Sequence, residues 1–236
     1  MDQELEIIYQ DDHYVAINKP HGLLVHRSKI ACNTDRYALQ ELRNQLDRHV
    51  YPAHRLDRKT SGVLVFALSE EALQLIRKEF ESQTIDKVYW AIVRGYTEEE
   101  GIIDYALTND KGKVQEAVTR YKTLEKTEVN VPHLGHSTSR YALVEVYPET
   151  GRMHQIRKHF AHIFHPIIGD RPHGCNKQNK LFLEKWQMGT MLLHAKEFKF
   201  RHPYTQVETI FKAGPQPEFI RMIHALGFKS LVLPSQ

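Results

Sequence analysis

Short apolar runs broken by polar turns set the pattern of this 236-residue chain. Residues 14–17 (Tyr-Val-Ala-Ile) read as a strand, closed by the turn-rich segment Asn18-Lys-Pro-His-Gly22. A second short strand is expected at 23–25. Over 37–46, Ala38, Leu39, Leu42 and Leu46 fall at helical spacing. Residues 63–68 (Val-Leu-Val-Phe-Ala-Leu) are continuously apolar, as in a strand buried on both faces. Ser69 then stands as an N-cap with Glu70 and Glu71 in the first turn, and Ala72, Leu73, Ile76 and Phe80 give the helix its apolar face. Another central strand is predicted at 88–93, ended by Arg94-Gly95, with weaker strands at 117–124 and 139–146. The pattern then predicts a turn at 147–151 and a helix over 153–164, stopped by His165-Pro166. Strands at 192–200 and 207–211 flank the turn His202-Pro-Tyr-Thr205, and 219–226 reads as a last helix. Segments 126–137 and 171–185 are polar and read as exposed loops that a partner can touch. Strands outnumber helices and short turns join several of them. The expected fold is therefore α+β, with a mixed, mainly antiparallel central sheet flanked by helices. No repeat, low-complexity tract or linker divides the chain, so one domain over 1–236 is expected.

Composition narrows the class. Hydrophobic residues make up 41% and charged residues 26%, which argues against disorder. The net charge of +3 permits a nucleic-acid partner without demanding one. Fifteen histidines can add positive charge where they gain a proton near RNA. Cys32 and Cys175 cannot make a disulfide framework and form no C-x-x-C, so reduced thiols and a cytoplasmic location are expected. The N-terminus lacks a signal-peptide profile and no apolar run approaches a membrane span, so no membrane partner is expected.

The chain holds no G-x-G-x-x-G, no G-x-x-x-x-G-K-[ST], no H-E-x-x-H and no G-x-S-x-G. Nucleotide cofactors and the familiar hydrolase machinery have no support, and no cofactor is expected. His154, His159, His162, His165 and His173 raise the question of zinc. No Cys, Asp or Glu is interleaved among them before Asp170, and a solvated, RNA-facing helix surface is the preferred reading; no metal is expected. On the same helix Ile156, Phe160, Ile163 and Phe164 form the apolar stripe, and Arg157 lies at its edge. An inward arginine needs an anionic partner, while an outward one can snorkel to water. Asp57 poses the matching question. It precedes a turn and an apolar strand, with Arg55, Arg58 and Lys59 close in sequence. It can cap the backbone amides of Thr60 or Ser61, or serve as an ionised nucleophile or base; composition leaves both open.

The run His54-Arg-Leu-Asp-Arg-Lys-Thr-Ser-Gly62 resembles the H-R-L-D-x-x-T-S-G signature of the RluA-type pseudouridine synthases at every specified position. Asn18-Lys-Pro-His-Gly22 resembles the family's N-K-P-x-G segment, Lys87-Val-Tyr89 its K-x-Y strand, and Gly151-Arg-Met-His-Gln-Ile-Arg157 its G-R-x-H-Q-[IL]-R block. His165-Pro-Ile-Ile-Gly-Asp170 and Leu192-Leu-His-Ala195 complete the set, so the likeness spans roughly residues 5–212. It implies the pseudouridine synthase fold, an isomerase that needs no cofactor, and structured RNA as partner. It implies Asp57 as the catalytic carboxylate, Tyr89 as the tyrosine stacking on the target base, and Arg157 as the arginine paired with the aspartate. Arg55 matches the residue that helps displace the base, Leu193 lines the base pocket, and His54, Arg152 and His154 belong to the substrate-binding blocks. Ile8-Tyr-Gln-Asp, Leu24-Val-His-Arg-Ser28 and Asp170-x-x-His-Gly174 resemble most the branch of the family that modifies uridine 65 of tRNA. The N-terminal S4 RNA-binding domain of some relatives is not expected, and no obligate protein partner is implied. Candidate phosphate contacts are the His-rich helix face, Arg171, Lys177, Lys180 and Lys185, and Arg27 with Lys29. Rival readings are a ribosomal RNA or another tRNA uridine as target, an RNA-binding folding factor, and a nucleoside-cleaving enzyme using the same aspartate.

Overall fold

A computed structural model describes residues 4–26, 36–133 and 135–229. Arg27, Lys29 and Cys32, named above, lie outside the described residues. In chain order the elements are β1 (Ile7–Gln10), β2 (Tyr14–Lys19), α1 (Ala38–Leu46), β3 (Tyr51–Pro52), β4 (Ser61–Ala67), α2 (Glu70–Glu81), β5 (Asp86–Arg94) and β6 (Glu100–Asp104). They continue with β7 (Leu107–Thr108), β8 (Val114–Gln115), β9 (Val118–Val129), β10 (Ser139–Pro148), α3 (Gln155–His162), α4 (Asn176–Trp186), β11 (Leu193–Arg201), β12 (Glu208–Lys212) and α5 (Pro217–Ala225). The expected α+β class with mainly antiparallel strands holds. The chain divides into two compact units, Met1–Lys87 with His194–Gln216, and Val88–Leu193 with Pro217–Gln236.

In the first unit β2 pairs antiparallel with β1 and β4, β3 pairs with β4, and β12 pairs with β11. The exception is β11, which runs parallel to β4 through His194 and Ala195 opposite Ser61 and Gly62. Every residue of β2 and β4 is buried, which is why 14–17 and 63–67 within them read as apolar runs. One face of these strands, with Tyr14, Ala16, Val63, Val65 and Ala67, packs against Ala72, Leu73 and Ile76 of α2 and Phe198, Phe200 and Phe211. Ser69 caps α2 as predicted, its Oγ accepting from the Ala72 amide at 3.1 Å.

In the second unit β10 pairs antiparallel with β5 and β9, and β9 with β6. Side chains alternate across it. Trp90, Ile92, Tyr141 and Leu143 face Phe182 of α4 and Phe219, Met222 and Ile223 of α5. Ala91, Val93, Ala142 and Val144 face Ile156 and Phe160 of α3. Helices thus cover both faces.

Several expectations need correction. Segment 171–185 is not a loop: α4 runs through most of it. Its buried stripe is thin, with Gln178 and Phe182, and its C-cap is Gln187 in the left-handed region (φ 53°) where glycine would have been a signal. The loop expected at 126–137 starts late, because β9 extends to Val129. Residues 23–25 form no strand; Leu24 makes a single bridge to Tyr37. α3 is shorter than 153–164. His154 (φ 56°) holds the chain in left-handed backbone before it, and Phe164 (φ 63°) does so after it. Phe164 therefore leaves the apolar stripe and is 85% exposed.

Candidate active site

The loop carrying Asp57 is held by main-chain bonds from two directions. The Thr60 amide donates to the Asp57 carbonyl at 3.0 Å, so this turn closes through the backbone. Across from it, the Gly22 amide donates to the Arg58 carbonyl at 2.8 Å and Arg58 Nε donates back to the Gly22 carbonyl at 2.9 Å. Gly22 (φ 88°) can present its peptide this way because it lacks a Cβ. The Asn18-Lys-Pro-His-Gly22 turn is thereby clamped to the loop of the H-R-L-D block.

Lys19 anchors the clamp from within. Its side chain is fully buried, and Nζ donates to the carbonyls of Pro20 (3.0 Å), Leu23 (2.9 Å) and Arg58 (3.3 Å). Burial pushes its pKa down to about 7, while the Asp57 charge pulls the other way and supports the ammonium form. A buried lysine with a carboxylate neighbour at this turn is a signal that only the three-dimensional structure supplies.

Two further groups shape the loop. His54 is half-buried, not solvent-facing: its Nε2 accepts from the Val65 amide at 3.1 Å and its ring stacks on Phe198 at 5.1 Å and 15°. Burial, with the Lys87 charge, pushes its pKa down to about 3, so the ring is neutral. Its contacts make it a support for the entry into β4. Arg55 is exposed and able to reach a ligand. After the loop, Ser61 Oγ lies 3.0 Å from His194 Nδ1, and His194 Nε2 donates to the Ala213 carbonyl at 3.0 Å. A carbonyl only accepts, so Nδ1 accepts a hydrogen bond from the Ser61 hydroxyl, and burial holds this ring's pKa down at about 4.

In the second unit, Tyr89 on β5 and Leu193 share the cluster that includes Ile156 and Phe160 of α3. The neighbouring Leu192 turns to the opposite cluster, which separates the two leucines. Arg157 is buried, 5% exposed, and does not snorkel. Its Nε and Nη2 both lie 2.8 Å from the carboxylate of Asp170, which is 1% exposed. Asp170 carries no assigned role in the sequence, where its signals are its places in the His165–Asp170 block and the Asp170-x-x-His-Gly174 stretch.

The block around Arg157 is pinned at several points. Gln155 Oε1 accepts from the Arg152 amide (2.9 Å) and the Thr150 hydroxyl (2.7 Å), and its Nε2 donates to the Val118 carbonyl and Thr119 Oγ1. Arg152 Nε donates to the Glu116 carbonyl at 2.9 Å. His154 Nδ1 lies 2.9 Å from His173 Nε2, and the His173 amide donates to Asp170.

On the histidine face of α3 the expectation of a solvated surface fails at His159. His159 is fully buried; its Nε2 donates to the Tyr105 carbonyl at 3.0 Å, and its Nδ1 has no hydrogen-bond partner among the described residues. His162 stacks on Tyr105 at 3.6 Å, and Lys158 Nζ reaches the Thr108 carbonyl at 3.3 Å. His159 is thus turned inward under segment 105–116, while His162 stays exposed with its ring stacked on Tyr105. Among the described residues no group of three or more His, Cys, Asp or Glu is gathered as a metal ion would need. No described helix is long and apolar enough to cross a membrane.

Comparison with known proteins converges on these blocks. Residues 13–162 match the family model of RNA pseudouridylate synthases. A tRNA pseudouridine synthase C of Vibrio vulnificus (strain CMCP6) is 49% identical over 97% of this chain and 98% of its own. A protein of the same name from Haemophilus ducreyi (strain 35000HP / ATCC 700724) is 46% identical over 95% and 97%. The human RNA Pseudouridylate Synthase Domain Containing 4 superposes with a TM-score of 0.74 at 27% identity, over 94% of this chain and 92% of its own. With its catalytic block intact and its length matched nearly end to end, this chain belongs to the RNA pseudouridylate synthase family, is of its RluA type, and is an isomerase of uridine in RNA.

Proposed function

We propose that this enzyme converts one uridine of tRNA, at position 65, to pseudouridine, working as a single catalytic domain with Asp57, Tyr89 and Arg157 at the chemistry. The observation that carries the substrate is the nearly full-length identity, 49%, to a protein named tRNA pseudouridine synthase C.

The reaction breaks N1–C1′, turns the uracil and forms C5–C1′. Substrate and product are isomers, so no redox carrier or energy source enters the balance. Asp57 assists departure of the base, by attack on C1′ or by a route through C2′ deprotonation. Arg157 matches the arginine that the family resemblance pairs with this aspartate. Tyr89 stacks on the uracil, with Leu193 on the apolar wall that keeps water from the sugar. A base in a paired stem must first leave its stack, at a cost of a few kcal/mol. Arg55 helps displace it, and His54, Arg152 and His154 belong to the surrounding substrate-binding groups.

The test is site-resolved pseudouridine mapping on tRNA and ribosomal RNA transcripts with purified protein. Modification at tRNA position 65 is expected. Modification of ribosomal RNA alone, or of an anticodon-arm uridine, would overturn the substrate and leave the enzyme class standing.

Tyr89→Phe keeps the ring and removes the hydroxyl. The single-turnover rate is expected to fall by about 10²-fold or more, the usual contribution of a proton-transfer group, with tRNA affinity within a few-fold. A wild-type rate would show that the hydroxyl takes no proton.

The grip on RNA rests on phosphates and shape. On α4, Lys177, Lys180 and Lys185 are all exposed. Lys180 is tied only by an exposed i,i+4 pair to Glu184 at 3.6 Å, a weak contact easily exchanged for phosphate. Neutralising the three lysines is expected to weaken tRNA binding and to flatten the slope of log affinity against log salt by about 2 to 3, at about 0.7–0.9 per phosphate contact. The saturating single-turnover rate should hold. An unchanged slope would remove α4 from the interface.

A further inference from the structure

Asp57 opens a tight turn whose corner is cationic. The Thr60 amide donates to the Asp57 carbonyl at 3.0 Å, which makes Arg58 and Lys59 the two central residues of a four-residue turn. The ends of such a turn lie within about 7 Å of each other, so one small piece of chain carries the carboxylate and both cations. Arg58 is exposed and Lys59 half-buried. The corner is braced at Arg58. Gly22 donates to its carbonyl at 2.8 Å and accepts from its Nε at 2.9 Å, and the buried Lys19 Nζ donates to the same carbonyl at 3.3 Å. A Cβ on Gly22 would meet nothing within 4 Å, so the bracing turn leaves open space beside it. His21 sits where the fields of Lys19, Lys59 and Arg58 converge. Burial first, and then these three charges, push its pKa down to about 4, so the ring is neutral and the positive charge stays with the cations. All of these residues belong to the first compact unit.

We propose that Arg58 and Lys59 form a subsite for an RNA phosphate, and that the anion they hold is one of the two phosphates bounding the target uridine; this rests on the reading that Asp57 acts at C1′ of that uridine. C1′ is joined to both phosphates through a single sugar ring. Any pose that brings C1′ to Asp57 therefore brings a phosphodiester anion towards the same turn. The two negative charges repel, and more strongly where little water lies between them. Two cations on the carboxylate's own turn offset that repulsion. The target must also leave its stack, so its backbone departs from the regular duplex path. Cations aimed at the duplex are then not aimed at its phosphates, whereas a contact carried on the Asp57 turn is. The two side chains suit the task in different ways. Arg58 offers a planar fork whose direction Gly22 fixes, and Lys59 offers a compact charge on a flexible stem that can adjust as the nucleotide turns.

The test removes charge from the protein and from the RNA in one cycle. tRNA carrying a single neutral methylphosphonate, 5′ of the target uridine, 3′ of it, or well away from it, is compared with the all-phosphate tRNA. Each is turned over once by wild type, Lys59→Gln, Lys59→Arg and Lys78→Gln, the last an exposed lysine of α2 outside the turn. With wild type, one of the two flanking methylphosphonates is expected to lower the ratio of single-turnover rate to half-saturating concentration by roughly 10-fold, as for a lost charge-assisted contact. Lys59→Gln should lose about as much on the all-phosphate tRNA, and at most about 2- to 3-fold more on that flanking methylphosphonate, because the partner is already gone. Lys59→Arg keeps the charge and should follow wild type, and Lys78→Gln should show the full loss on the methylphosphonate. A Lys59→Gln protein that turns over like wild type, or whose loss multiplies with that of both flanking methylphosphonates, would overturn the inference and leave a solvated turn. Coupling of Lys59 only to the remote methylphosphonate, or equal coupling of Lys78, would do the same. Should Lys59→Gln show no cooperative melting, Arg58→Lys and Arg58→Gln replace it. Both give up the Nε bond to Gly22, but only the second removes the charge, so only the second should couple to the flanking phosphate; coupling in both or in neither overturns the inference. Asp57→Asn is run in parallel. Retained turnover there removes the underlying reading, whereas an inactive Asp57→Asn beside an uncoupled Lys59 removes the subsite alone.

Discussion

Asp57→Asn is expected to abolish pseudouridine formation, by at least about 10⁴-fold or more than 5 kcal/mol of transition-state stabilisation, with tRNA affinity within a few-fold of wild type. The amide has nearly the shape of the carboxylate but neither its charge nor its basicity, so it can neither attack C1′ nor take a proton. The loop should survive the change, because its geometry is held elsewhere. Thr60 bonds the Asp57 carbonyl rather than its side chain, and the Gly22–Arg58 clamp uses only main chain and Arg58 Nε. One side effect has a definite sign. Lys19 has a folded pKa of about 7, below its ordinary value, and the Asp57 charge works to hold it up. Without that charge the ammonium loses its proton more readily on folding. Some stability is then lost below about pH 7, and the deficit relative to wild type closes as pH rises past Lys19's folded value of about 7. A melting curve at pH 6 and pH 9 beside the single-turnover and binding measurements separates this from the chemical effect. Wild-type turnover by folded Asp57→Asn would remove the carboxylate from the mechanism.

How far the sequence carried depended on how local each signal was. The Ser69 cap, the buried strand β4 and the amphipathic α2 are set by residues within a few positions of one another, and each was legible. Lys19 was not. Its acceptors include Arg58, 39 residues away, and nothing in Asn-Lys-Pro-His-Gly says that the lysine turns inward. Ser61 and His194 meet across 133 positions, so the serine of the T-S-G run reads as surface until β11 is laid beside β4. Arg157 was legible as a problem, an inward charge in want of an anion, but Asp170 lies beyond the helix that periodicity describes. The histidines of α3 misled for a related reason. A helical wheel sorts side chains by face and cannot show that segment 105–116 lies on the polar one. His159 therefore reads as solvated although it is buried and bonds the Tyr105 carbonyl. One consequence bears on RNA binding: His159 is removed from the α3 face, so the exposed lysines of α4 carry more of the expected phosphate grip.

Gly62→Ala is expected to cost about 3–5 kcal/mol, a large part of the 5–15 kcal/mol that ordinarily holds a fold of this kind together. Two effects add. Gly62 has φ +107°, a conformation that side chains other than glycine's adopt only under strain of about 1–3 kcal/mol. A Cβ there would also stand 2.1 Å from the Ala195 carbonyl oxygen and 2.7 Å from the Ala195 nitrogen. Both are backbone atoms of the parallel partner strand, so no side chain can swing aside, and overpacking of this sort costs a further 1–3 kcal/mol or so. The strands must part where Ser61 bonds His194, and the loop that ends at Thr60 loses its fixed end. At about 2–4 °C per kcal/mol for a chain of this size, the melting temperature should fall by roughly 6–20 °C. Pseudouridine formation should fall with it, even at temperatures where the variant remains folded. Gly214→Ala is the matched control in the same unit, since a Cβ there meets nothing within 4 Å and its φ is not positive. That control should melt within about 2 °C of wild type. A Gly62→Ala protein that melted with the control would mean that the β4–β11 pairing yields at little cost, and that the glycine of the T-S-G run is not there for close approach of the two strands.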